Sequence, residues 1–290
     1  MKKHKLWLAA TIVLWAAAAA LRWWQLSSAF EEDPRLAMPF APASVALLVL
    51  LIAAAVVLAL LARRQEVAPD LKEDWARALY APGDKLYLTG LVLAGFLALA
   101  GGFAFLRQGI SLFQKYLAVR AQQGDLAGMN NGLLRLLAGA AGVAMCPTLI
   151  GAGRDAVRSK GSGLPRIGVV CGCLWMMDCY RSHAADPVRW DYVPLILAIV
   201  AGIGLCLCWS GLTCGAPRPR RTLWLAGMTV ILSAMAMVGE SSLGAVLLLA
   251  SQAFTGLSLL YRLPRNLNDP PAAPAEEPRP EETMEDEPHA

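Results

Sequence analysis

ASVALLVLLIAAAVVLALLA, residues 43–62, carries no charge and stops on Arg63-Arg64. A helix of that length rises about 30 Å, at about 1.5 Å per residue, which matches the hydrocarbon depth of a bilayer. Comparable runs recur on both sides of it. They predict eight spans at 6–25, 43–62, 86–106, 132–152, 165–182, 193–213, 222–239 and 243–261. The fifth is the weakest, because only Ile167 to Met177 is cleanly apolar. Composition agrees: 57% of residues are apolar and 17% are charged, against about 25% charged in soluble domains. The expected fold is an all-α integral membrane bundle over residues 1–265. An acidic, Pro-rich segment, 266–290, follows it and reads as a disordered cytoplasmic tail.

Basic residues set the expected orientation. With the N-terminus inside, 18 of the 26 Lys and Arg fall on the inner side and seven on the outer, leaving Arg135 within the fourth span. That asymmetry predicts an N-in, C-in topology. Met1–Ala20 also fits a signal peptide, with its basic start and alanine run. Cleavage there leaves seven helices. Arg22-Trp23-Trp24 suits an interface anchor instead, so an uncleaved first helix is the preferred reading.

Two connecting segments are amphipathic. In 69–80, Asp70 and Glu73 have capping-box spacing, and Leu71, Trp75 and Leu79 share a face. A short helix lying on the cytoplasmic membrane surface is expected. Segment 109–121 either lies on the outer surface or extends the third helix.

Charged groups at membrane depth are functional candidates by default. Arg135 and Asp178 lie near the outer ends of the fourth and fifth spans, which a short inner loop joins. The two are therefore expected to pair. Arg181, at i+3 from Asp178, competes for the same carboxylate. Arg22, Tyr180, His183, Asp186, Arg189, Asp191 and Glu240 fall at the same outer level. The expected site is an outer pocket of Arg135, Asp178, Arg181 and His183, whose arginines suit a small anionic external ligand. The competing reading has these side chains snorkel and pair among themselves.

Ser251, Gln252, Thr255 and Ser258 form a polar stripe on the last helix, and Thr229 and Ser233 sit on the helix before it. This stripe either lines a transport path, through Ser251, Gln252 and Thr255, or holds helices together by hydrogen bonds. Pro147 predicts a kink in the fourth helix, and Ala138 and Gly142 predict a close helix contact there. The seven cysteines lie in or beside apolar runs and argue against a disulfide framework. Cys171/Cys173 and Cys206/Cys208 are i, i+2 pairs that diverge on a helix, so no metal site is expected. No zinc-protease, nucleophile-elbow, P-loop or dinucleotide motif occurs, and no basic-aromatic nucleic-acid surface. The chain therefore reads as non-enzymatic, with no cofactor.

The stretch Cys173-Leu-Trp-Met-Met-Asp178-Cys-Tyr-Arg-Ser-His183-Ala-Ala-Asp-Pro-Val-Arg-Trp-Asp-Tyr-Val193, with Arg22-Trp-Trp-Gln-Leu-Ser-Ser-Ala-Phe30, resembles a group of uncharacterised multi-pass membrane proteins of anaerobic Gram-positive bacteria. The resemblance implies a multi-pass protein of a bacterial cell membrane and carries over no catalytic residue. The expected role is an external-ligand sensor or an accessory subunit beside a membrane-protein partner. The alternative is a permease for a small solute.

Overall fold

The structure, a computed structural model, describes residues 3–30, 38, 40–72, 74–123, 129–183 and 192–272. Those residues are helical throughout their ordered elements, with no strand among them. The helices are α1 (Lys3–Ser28), α2 (Pro42–Arg63), α3 (Lys85–Gln123), α4 (Met129–Val157), α5 (Pro165–His183), α6 (Val193–Thr213), α7 (Pro219–Gly239) and α8 (Leu243–Asn268). Seven of them, all but α5, are long and apolar enough to cross a membrane. Proline opens α2, α5 and α7 and sits at the start of α6. Its missing N–H is one of the donors a helix start leaves unused. Gly83 and Gly215 adopt positive φ in the turns leading into α3 and α7, a conformation that favours glycine.

The bundle has a buried centre and a rim. α7 is the most enclosed span, with 72% of its apolar window buried, and α8 follows at 61%. α1 and α2 bury 22% each and present most of their surface outward. A helix that is apolar all round and yet mostly exposed requires an apolar solvent.

α3 and α4 are the closest pair. A Cβ added at Gly102 would lie 2.5 Å from Val143 N, and one at Gly139 would lie 2.7 Å from Leu106 N. These are backbone contacts that only glycine permits, and Gly95, Gly102 and Gly109 repeat at seven-residue steps along the seam. The expected contact at Ala138 and Gly142 is part of it: Ala138 is 1% exposed, and a Gly142 Cβ would meet Gly102 Cα at 2.8 Å. α4 continues helically through Pro147.

α5 runs antiparallel to both α4 and α6. Its C-terminal end meets Arg135 near the start of α4. At its other end, Leu164 packs against Gly151 of α4, and Thr213 Oγ1 at the end of α6 donates to Ser162 O at 2.8 Å. The bundle thus has two ends. One carries Arg135. The other carries the C-terminal end of α8, where Gln65 Nε2, just past α2, donates to Pro264 O and Asn268 Oδ1.

Segment 69–80 departs from expectation. It forms two 3₁₀ turns, Pro69–Lys72 and Trp75–Ala78, instead of one surface helix. Leu71 and Leu79 are buried in the bundle, and the cap is Asp74, which accepts from Ala76 N at 3.0 Å. α8 ties the segment down: Asn266 Nδ2 donates to the carbonyls of Arg77, Ala78 and Tyr80, and Arg262 donates to Tyr80 O. The segment 109–121 extends α3. Glu73, Asp186, Arg189, Asp191 and the tail from residue 273 lie outside the described residues.

Candidate functional site

The α4–α5 register brings Arg135 and Asp178 together. Arg135 Nε lies 3.0 Å from Asp178 Oδ2, and the Asp178 side chain is 2% exposed. Arg135 Nη1 donates to Gln108 Oε1 at 3.3 Å, and Nη2 donates to Ser182 Oγ at 3.1 Å. Its guanidinium also stands 4.7 Å from the centre of the Phe105 ring, a cation–π contact. A buried carboxylate is tolerated here because a fixed, multiply bonded cation meets it.

The rest of the expected outer site does not assemble around this pair. Arg181 is exposed and makes no ion pair with Asp178. His183 turns to its own helix, with Nδ1 2.8 Å from Cys179 O, and stacks on Tyr192 at 4.9 Å. Glu240 accepts from Ser242 N, and Arg22 donates to Gln25 Oε1 along α1, while Gln25 Nε2 donates to Ser44 Oγ of α2. The partners that Arg135 does have, Gln108, Ser182 and Phe105, were not singled out from the sequence. Gln108 was legible only as one polar residue at a helix end.

Further into the bundle lies a cavity of about 50 Å³ to which α3, α4, α5, α6, α7 and α8 all contribute, enough for a few water molecules. Gly142, Gly168, Gly172 and Gly202 are part of its wall, and no charged side chain lines it. Neighbouring side chains occupy the places that Cβ atoms would take at Gly168, Gly172 and Gly202, so these glycines let α5, α6 and α8 close around the cavity. Gly168 and Gly172 are one turn apart on α5, a signal present in the sequence. Its polar lining is Thr229, Ser251, Gln252 and Thr255. The α8 stripe thus points into shared space.

Two of these polar groups have no use within the fold. Thr229 is fully buried, yet its Oγ1 has no hydrogen-bond partner among the described residues, and neither does Gln252 Oε1. Thr255 instead donates to Ser251 O along its own helix at 2.9 Å. Leaving a buried hydroxyl or amide oxygen unpaired costs about 1–3 kcal/mol. Both oxygens are closed off from the open part of the cavity, so meeting a water or ligand there requires the side chains to turn toward it.

The ion pair and the cavity are connected. Trp175 lines the cavity and meets Phe105 edge-on, with ring centres 6.2 Å apart at 72°. Phe105 in turn lies under Arg135. From the Arg135 end inward, the order is ion pair, Phe105, Trp175, cavity. All seven cysteines are free, and two of them, Cys171 and Cys206, line the cavity. Among the described residues no three His, Cys, Asp or Glu side chains converge as metal ligands. Comparison of the chain with protein-family models, with curated proteins and with solved structures gives no match.

Proposed function

We propose that this chain is a multi-pass membrane protein that passes a small, neutral, polar solute through its bundle. One observation supports this most: the wall of a mid-bundle cavity, with no charged lining among the described residues, contains Thr229 and Gln252, each with a buried oxygen that has no hydrogen-bond partner among those residues. An uncharged wall disfavours ions, and convergent polar groups in an apolar pocket are how a small-molecule site is built. Thr229, Ser251, Gln252 and Thr255 contact the solute. The stack of Arg135, Asp178, Phe105 and Trp175 closes one end. The chain acts without chemistry on the solute.

Helix packing and charge support an eight-span, N-in, C-in threading as part of this proposal. α5 lies antiparallel between α4 and α6, so it crosses wherever they cross, which makes eight spans. The basic clusters at Arg63-Arg64, Arg154, Arg158 and Arg218 to Arg221 lie at the Arg262 end, which is therefore cytoplasmic. Both chain ends then face the cytoplasm of a bacterial cell, and the stack faces outside.

A second reading keeps the anion-binding sensor. An open groove beside the ion pair is lined by Arg107, Gln108, Ser111 and Arg135. There Arg107 takes the place expected of Arg181 and His183, and the two guanidiniums suit a carboxylate.

The readings separate in purified protein reconstituted into liposomes. Stopped-flow light scattering with urea, acetamide and glycerol should show at least one solute crossing faster than in protein-free vesicles. Equal rates for all three, with folded protein present, would remove the transport reading. Thermal stabilisation by acetate that is lost on Arg107→Gln would support the sensor.

A further inference from the structure

At the Arg262 end, the turn between α6 and α7 and the connector after α2 enclose a groove. It is lined by Lys72, Trp75, Arg218, Arg220 and Arg221, with Val67 and Pro219 as its apolar part. The groove is open and measures about 390 Å³. Its four cationic side chains are exposed, and among the described residues none of them forms an ion pair. Among the described residues no carboxylate lines the groove. The stems of these side chains make its surface almost wholly apolar, and the charges they carry around the concavity give it a positive field, which together favour an anion with an apolar part.

Depth selects the anion. Pro219 is the first residue of the spanning helix α7, and Val67 lies four residues beyond the last residue of α2, Arg63. The groove therefore sits level with the helix ends, where the lipid headgroups of a bilayer lie. Trp75 is half-buried beside it, with the amphipathic ring that favours that boundary. Guanidiniums bind phosphate through paired hydrogen bonds. We propose that this groove is a binding site for the phosphate headgroup of an anionic membrane phospholipid. The site depends on the helices crossing a bilayer and is independent of what the cavity carries.

The test uses the full chain purified in detergent, with phosphatidylglycerol and phosphatidylcholine of matched acyl chains, read by native mass spectrometry. Wild type should retain phosphatidylglycerol at least tenfold better. R218Q/R220Q/R221Q should lose that preference, and K72Q should weaken it, with unfolding temperatures in lipid-free detergent unchanged because all four side chains are exposed. R63Q/R64Q, which removes equal-sign charge outside the groove, should keep the preference. The proposal is overturned if wild type shows no preference or if the triple variant retains it. It is also overturned if R63Q/R64Q loses the preference equally, since general surface charge then suffices. Displacement by equimolar glycerol phosphate would assign the groove to a free anion. Binding that appears only after Glu276, Glu277, Glu281 and Glu282 are changed to Gln would assign it to the acidic tail.

Discussion

Arg262 Nη1 lies 3.0 Å from Asp84 Oδ2, so a residue in the second half of α8 is clasped to the turn that opens α3. The pair is nearly buried, at 7% and 9% side-chain exposure, and Arg262 also donates through Nε to Tyr80 O. Beside it, Ala68 N donates to Leu267 O, and Asn266 serves three carbonyls of the same connector. The end of α8 and the connector between α2 and α3 therefore form one unit.

Breaking that clasp should loosen the connector before the bundle. Arg262→Gln leaves Asp84 without its cation in a low-dielectric setting, a loss of about 3 kcal/mol. Hydrogen exchange should rise first at Leu71, Leu79 and Leu267. Unchanged exchange at these amides would show that the clasp contributes nothing to holding the segment.

The Arg135–Asp178 pair should behave as a coupled unit. Arg135→Gln or Asp178→Asn alone should each destabilise by about 3 kcal/mol, because each leaves a buried group unmatched. The double variant should recover most of that loss. Thermal unfolding in detergent measures the cycle, and strictly additive effects would contradict direct coupling.

The α3–α4 seam should reject any side chain. Gly102→Val places a Cβ where Val143 N stands, 2.5 Å away, and the helices must part. We expect a cost of about 3 kcal/mol, at the upper end of overpacking, and greater trypsin sensitivity. Gly83→Asn is the contrasting change: its positive φ suits Asn, and nothing crowds it within 4 Å. It should be tolerated within about 0.5 kcal/mol.

The bands of hydrophobic residues made the helices legible, because membrane spans need long apolar runs regardless of their neighbours. The weakness of the fifth span was legible too: α5 is the one helix that falls short of the apolar criterion. Arg135 and Asp178 could be paired in advance because a short loop fixes the register of their helices. Arg262 could not, since it looked like one more inner charge while its partner lies 178 residues away. The single helix expected over 69–80 is two short turns, and the contacts that hold them come from distant side chains on α8, which periodicity within the segment does not report. The polar stripe at Ser251, Gln252 and Thr255 was visible. That it opens on a cavity depended on Gly168, Gly172 and Gly202 from other helices.

Thr229→Val tests the transport reading most directly, because it separates function from folding. Valine has nearly the same shape, and Thr229 Oγ1 has no hydrogen-bond partner among the described residues, so unfolding temperature should hold or rise. If that oxygen contacts a passing solute, permeation of the best of urea, acetamide and glycerol through proteoliposomes should fall about tenfold, the equivalent of one hydrogen bond. Wild-type permeation in a stably folded Thr229→Val protein would contradict the account.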